Sequence, residues 1–155
     1  MPQASAGLLP YRRRGGTIEV FLVHPGGPFW AAKDRHAWSI AKGEVEPDES
    51  LLHAARREFA EETGFGCAGP TLCLTARRQP GGKVVHAWAV AADCDPHAVR
   101  SNRFRLEWPP RSGRVREFPE VDRAAWFDIA TAREKIHEGQ IGFLDELEAR
   151  LTATS

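Results

Sequence analysis

The stretch GEVEPDESLLHAARREFAEETGF, residues 43–65, crowds Glu58, Glu61 and Glu62 into five positions. Like charges at i,i+4 on a helix repel, at a cost of roughly 0.2–0.5 kcal/mol per pair. A cation held between the carboxylates would turn that cost into a binding site. On a helix each residue turns about 100°. With Glu58 taken as zero, Glu61 lies near about −60° and Glu62 near about +40°, so the three share one arc. Leu52, Ala55 and Phe59 fall between about +60° and +120° and form a neighbouring apolar stripe. One stripe would dock on a sheet while the other faces a cleft. Carboxylate oxygens are hard donors, which suits Mg²⁺ or Mn²⁺. The plainer alternative is a solvated face, with Arg56, Arg57 and Glu58 as surface charge. Spacing alone leaves both readings open.

Working outward, Asp48 is the predicted N-cap of this helix with Pro47 just outside it, and Gly64 ends it as a C′ glycine would. Upstream, Leu8–Tyr11 and TIEVFLVHP (Thr17–Pro25) read as strands around an RRRGG turn, and AWSIAKG (Ala37–Gly43) as a short strand running into a loop. Downstream, PTLCLTARRQ and KVVHAWAVAA read as a hairpin joined by PGG. SNRFRLEW is a further strand, PPRSGR a loop, and AAWFDIA a strand that feeds a last helix from about Thr131 to Leu151. That helix carries Ile136, Ile141, Leu144, Leu147 and Leu151 at helical spacing. The order of several strands, one helix, more strands and one helix predicts an α+β fold. It is an α/β/α sandwich with a mixed central sheet rather than an alternating Rossmann pattern.

A chain of 155 residues predicts one domain over residues 1–155. Hydrophobic residues at 42% and charged residues at 27% suit a soluble globular core. Lys plus Arg equals Asp plus Glu, at 21 each, so net charge points to no nucleic acid and no membrane partner. No apolar run approaches the roughly 20 residues that span a bilayer. The N-terminal MPQASAGLLPYRRRGG lacks the basic-then-apolar order of a signal peptide, so a cytoplasmic location is expected. Cys67, Cys73 and Cys94 are odd in number and without a CxxC pair, which predicts buried reduced thiols and no zinc site. Trp30, Trp38, Trp88 and Trp126 are expected in the core or on strands.

The whole stretch reads G-x5-E-x7-R-E-φ-x-E-E-x-G-φ, with φ a bulky apolar residue. Gly43, Glu49, Arg57, Glu58, Phe59, Glu61, Glu62, Gly64 and Phe65 all fall in place. This is the Nudix box without a mismatch, and the chain resembles the Nudix hydrolases. The strand order and the final helix extend the resemblance over nearly the whole chain. It implies a Nudix-like sandwich and hydrolysis of a phosphoanhydride bond in a nucleoside diphosphate linked to another group. Metal ions would neutralise phosphate oxygens there.

The resemblance implies Glu58, Glu61 and Glu62 as metal ligands, the first and third for a main ion and Glu61 for a second. The Gly43 carbonyl would add a ligand, since glycine lets the backbone approach closely. Glu49 and Arg57 would be a supporting pair. Lys42 would touch phosphate or be solvated. An acid outside the box is expected as an additional ligand or general base. Glu120 fits that place best, Glu107 second, with Glu117 between them in sequence. Trp108 is a candidate to stack on a base, with Arg111 or Arg114 on phosphate.

The lead-in AWSIAKGE is similar to the W-x-x-P-K-G of dinucleoside polyphosphate hydrolases, with Ala41 in place of the proline. The tyrosine those enzymes carry after the box is absent; Tyr11 is the one tyrosine here. The resemblance thus implies a small nucleotide substrate, a dinucleoside polyphosphate or nucleoside triphosphate. Pro80 beyond the box keeps ADP-ribose or a nucleotide sugar as an alternative. A non-catalytic nucleotide-binding regulator is the remaining one. Monomer and homodimer are both open.

Overall fold

The long first strand, β1 (Ala4–Arg14), organises the sheet in the computed structural model, which describes residues 4–153. The first three residues of the N-terminal stretch read above lie outside them. β1 runs parallel to β6 (Val84–Ala91), from Ala4 beside Val84 to Tyr11 beside Ala91. Its other edge is shared by two antiparallel partners in succession. β3 (Ala41–Glu44) takes Ser5 to Leu8, and β2 (Thr17–Pro25) takes Tyr11 to Arg14. β9 (Val121–Asp128) closes the far side of β2, while β4 (Thr71–Cys73) and β5 (Arg77–Arg78) pair with β6. The result is a mixed seven-stranded sheet. β7 (Arg103–Glu107) and β8 (Val115–Pro119) form a separate two-stranded ribbon.

Alternation along the strands decides the layers. Leu8, Phe21 and Val23 point to one face, where they meet Ala54, Ala55 and Phe59 of α1 (Leu51–Thr63). Leu9, Val20 and Leu22 point to the other. There they meet Ile129 and Ala132 of α2 (Ile129–Lys135) and Phe143, Leu144 and Leu147 of α3 (Ile141–Ala153). The fold is an α/β/α sandwich with a mixed central sheet. Phe59 is fully buried and lies edge-on to Phe21 at 6.4 Å between ring centroids. Burying such a side chain is worth roughly 1.5–3 kcal/mol and fixes the rotation of α1 about its axis.

Several local expectations are corrected. The helix is capped by Ser50, whose Oγ accepts the His53 N–H at 3.2 Å. Asp48 sits in the preceding turn at φ 66°, a conformation aspartate tolerates. Gly64 does end the helix, at φ 82°, with its N–H on the Ala60 carbonyl. The single last helix is two. Ile136 is extended, and a 3-10 turn at Glu138–Gln140 precedes α3. Gly139 and Gly142 weaken a continuous helix, and the break turns Gln140 inward. Its buried amide accepts the Ile40 N–H at 3.0 Å and donates to Ser39 Oγ at 3.0 Å, which pins the segment entering β3.

That strand is shorter than expected, since Trp38 and Ser39 lie before it and make only isolated bridges, to Ile136 and Val23. The stretch VREFP, for which no strand is predicted, is β8. Cys73 is exposed and Cys67 and Cys94 are half-buried, so the thiols are not core residues as predicted; burial pushes the Cys94 thiol up to about 11. Trp30 is 40% exposed, whereas Trp38 is buried. Among the described residues no helix is long and apolar enough to cross a membrane.

Candidate active site

Docking Ala55 and Phe59 on the sheet turns Glu58 and Glu62, half a helical face away, toward a cleft of about 670 Å³. Six of the residues singled out in the sequence line it together: Lys42, Gly43, Glu58, Glu61, Glu62 and Glu120. Burial pushes the Glu62 carboxyl up to about 8. Glu58 and Glu120 add repulsion, against the pull of Lys42. Burial also raises Glu58 and Glu120. Lys42 is lowered, first by burial and then by Lys83 across the cleft. Carboxylates thus converge from two elements on one side, and two lysines gather beside them. Such mutual perturbation of titrating groups in a cleft marks candidate functional sites.

Gly43 lies against the Glu58 carboxylate so closely that a Cβ on it would overlap that group. The backbone at this point is an edge strand without a side chain, cradling a carboxylate. Among the described residues no three acidic, imidazole or thiol groups form a closed set of donors. The reason is visible in Arg57. Its Nη1 donates to Glu58 at 2.9 Å and to Glu61 at 3.2 Å. The residues fit a divalent cation all the same, because the donors are hard oxygens gathered in one cleft.

Arg57 also forks onto Glu49, with Nε to Oε2 at 2.7 Å and Nη2 to Oε1 at 2.9 Å, and reaches the Glu44 carbonyl at 3.0 Å. One guanidinium therefore ties the loop after β3 to α1 and sets Glu58 at the same time. This fork holds Glu49 down at about 2 from the ordinary 4.5. A carboxyl with a depressed folded value contributes stability that is complete above its unfolded value and is lost as pH falls through the folded one. The part of the denaturant midpoint that Glu49 supplies is expected to be constant from pH 7 to about 5 and to be lost between pH 4.5 and about 2. In Glu49→Gln that acid-dependent part should shrink. An unchanged acid profile in the variant would remove Glu49 from this role.

Glu120 sits in the bend between β8 and β9 and is held there by its backbone. Its N–H donates to the Asn102 carbonyl at 2.9 Å, and its carbonyl accepts the Gly26 N–H at 2.9 Å. A Cβ on Gly26 would overlap the Pro119 carbonyl, so this crossing needs a glycine. The Asn102 N–H in turn donates to the Glu61 carbonyl at 2.9 Å. Asn102 therefore staples Glu120 to the helix that carries the other acids. Sequence reading missed Asn102, Lys83 and Ser5, which also line the cleft. Ser5 is fully buried and its hydroxyl has no partner among the described residues. None of the three stands in a pattern that marks it; only strand pairing brings them there.

The remaining candidates lie elsewhere. Glu107, Trp108, Arg111, Arg114 and Glu117 belong to the β7–β8 ribbon or its turn and do not line the cleft. The Glu107 carboxylate accepts the N–H of Arg111 at 3.0 Å and of Gly113 at 3.2 Å, closing the turn. Trp108 stands edge-on to Phe29 at 5.2 Å.

The family model for the NUDIX domain matches residues 1–147. An octanoyltransferase of Myxococcus xanthus is 34% identical over 138 residues, which cover 87% of this chain and 33% of that protein. The CTP pyrophosphohydrolase of Escherichia coli (strain K12) is 38% identical over 55 residues, 34% of this chain and 41% of that enzyme. The matches thus span well under half the length of these curated relatives. A binary complex of the Caenorhabditis elegans Ap4A hydrolase superposes with a TM-score of 0.67 over 97% of this chain and 98% of that one, at 22% identity, and so shares the fold.

Proposed function

Because the chain belongs to the Nudix family, we propose that it is a divalent-metal-dependent pyrophosphohydrolase that cuts a phosphoanhydride bond in nucleoside diphosphate-linked substrates. One observation carries the reading: Glu58, Glu62 and Glu120 gather half-buried in one cleft that also holds two lysines, with Glu58 against the bare backbone of Gly43. Glu58, Glu62 and the Gly43 carbonyl would hold Mg²⁺ or Mn²⁺, with Glu61 for a second ion. When bound, the ion supplies charge that offsets developing negative charge on phosphate and makes water a stronger nucleophile. Lys42 and Lys83 bind phosphate oxygens. Arg57 and Glu49 hold Glu58 in place. Glu120 faces the helix acids with its carboxyl raised, a state suited to taking a proton from the attacking water.

For the substrate we favour a dinucleoside polyphosphate or a nucleoside triphosphate. The AWSIAKGE lead-in supports this, as do the CTP pyrophosphohydrolase and the Ap4A hydrolase among similar proteins. The transferase name is not carried over, because the match covers only 33% of that protein. The test is product formation from diadenosine tetraphosphate, nucleoside triphosphates and ADP-ribose, each with Mg²⁺ and with EDTA. Cleavage of the first two that EDTA abolishes is expected. Cleavage unaffected by EDTA, or none across the panel, ends the reading; a tenfold preference for ADP-ribose changes the substrate.

Glu120→Gln is expected to lower kcat by roughly 10- to 10³-fold with little change in KM. Glu107→Gln, whose acid closes a turn outside the cleft, should stay near wild type. The reverse pattern in steady-state kinetics would exchange the two assignments.

A further inference from the structure

We propose that His24 is a positioning residue for Glu120. By holding Asp122, the extra residue of a β-bulge, it sets the register that turns Glu120 into the cleft; the catalytic consequence rests on the pyrophosphohydrolase reading. β2 and β9 pair residue for residue from Glu19 beside Asp128 to His24 beside Arg123. The next pair is Pro25 beside Val121, so Asp122 has no partner in the ladder. A bulge of this kind sets two residues of one strand opposite one of the other, bends the strand and re-aims the side chains beyond it.

The packing shows what the bulge changes. Ala124 and Trp126 join the cluster around Phe59 on the α1 side of the sheet, and Ala125 and Phe127 join the cluster of α2 and α3 on the other. Strict alternation would put Val121 with Ala125 and Phe127. Val121 is instead buried in the α1-side cluster and lines the cleft. Glu120, the residue before it, lines the same cleft. Without the extra residue the phase shifts by one and the two faces exchange. Val121 would leave the α1 side, and Glu120 would lose its place opposite the helix acids.

His24 is the group that grips the extra residue. It is fully buried, edge-on to Trp38 at 5.1 Å. Its Nε2 donates to the Lys33 carbonyl at 2.6 Å, since a carbonyl can only accept. Its Nδ1 lies 2.9 Å from Asp122 Oδ1, a bond that takes one further proton, shared by the pair. Loss of either partner would leave a buried ring nitrogen unsatisfied, so the clamp is costly to open. The reaction proposed above uses neither residue. The backbone beyond the bulge is held by the same segment. Gly26, two residues after His24, donates its N–H to the Glu120 carbonyl at 2.9 Å. The Val121 N–H donates to Ser101 Oγ at 2.9 Å. His24 and Gly26 thus grip the entry of β9 on both sides of Val121, one through Asp122 and the other through Glu120.

The test is steady-state kinetics of His24→Gln, Asp122→Ala and Asp122→Asn on the substrate cut best in the panel above, with amide hydrogen exchange of the full chain. Glutamine keeps a donor near the place of Nε2 and offers none to Asp122. His24→Gln and Asp122→Ala should each lower kcat about tenfold or more, with KM within about twofold. Asp122→Asn, whose amide can donate to Nδ1, should stay close to wild type. In a Glu120→Gln background His24→Gln should cost nothing further, because the two act as one unit. The Gly26 amide, bonded to the Glu120 carbonyl, should exchange about tenfold faster or more in both damaging variants. Asp122 is at the surface, so Asp122→Ala decides the point even where His24→Gln does not fold. The proposal is overturned if Asp122→Ala keeps wild-type kcat, if Asp122→Asn is as impaired as Asp122→Ala, if the losses of His24→Gln and Glu120→Gln multiply, or if the Gly26 amide exchanges at the wild-type rate. Exchange is read without turnover. A chain that cuts nothing yet shows the faster exchange counts against the hydrolase reading and not the clamp, while turnover with unchanged exchange counts against the clamp alone.

Discussion

Glu62→Gln is expected to fold, to lose about 100-fold or more in kcat, and to melt in EDTA no lower than wild type. The carboxamide keeps the shape of the side chain and removes a charge that burial and the neighbouring carboxylates disfavour. Burial, Glu58 and Glu120 together lift this carboxyl to about 8. A group whose folded value lies above its unfolded 4.5 binds protons more tightly in the folded state. Its ionisation therefore costs stability progressively as pH rises from about 4.5 to 8. The variant escapes that cost. Its advantage in melting temperature should be absent at pH 4 and present at pH 8. Steady-state kinetics with saturating Mg²⁺, and calorimetry in EDTA at the two pH values, measure both effects. Full turnover would take Glu62 out of the machinery, and a melting temperature that falls at pH 8 would mean the carboxylate is structural.

Gly43→Ala is the second large effect, with kcat/KM down about 100-fold and the fold intact. The position does not use the left-handed backbone that would strain alanine. The added methyl instead overlaps the Glu58 carboxylate, which must swing away. Displacing a reacting group's partner by about an ångström is enough for a loss of this size. Gly7 in β1 is a useful contrast. A Cβ there would stand 2.5 Å from the Ala41 carbonyl oxygen and 2.6 Å from Lys42 Cβ, so Gly7→Ala should disturb the sheet itself. Gly43→Ala with wild-type kinetics would show that Glu58 need not lie against the strand.

The helix from Leu51 to Thr63 was legible because its period, its C′ glycine and its charged arc all agree. Its cap was misplaced because Asp48 and Ser50 are both good capping residues, and only the backbone shows which is extended. The break at Ile136 was invisible for a similar reason. Ile136 keeps helical spacing with its neighbours, and the need to turn Gln140 toward Ser39 and Ile40 is a tertiary fact. Within the cleft, Glu58, Glu61 and Glu62 are local to one helix, so spacing shows their shared arc, while a role as ligands is implied only by the resemblance. Glu120 was found by its place before an aromatic strand. Asn102 and Lys83 could not be found, since they reach the cleft through pairings of β1, β6 and the ribbon root. Glu107 carries the same chemistry as Glu120 in sequence, and what separates them is that one carboxylate is used by its own turn.

Binding of Mn²⁺ followed by the EPR signal of the free ion tests most directly whether these carboxylates hold a divalent cation. The account predicts that wild type removes Mn²⁺ from solution, that Mg²⁺ competes for the same site, and that Glu62→Gln and Gly43→Ala each weaken uptake at least about tenfold, the range seen when ligands or their supports are lost. Uptake by both variants equal to wild type would contradict it.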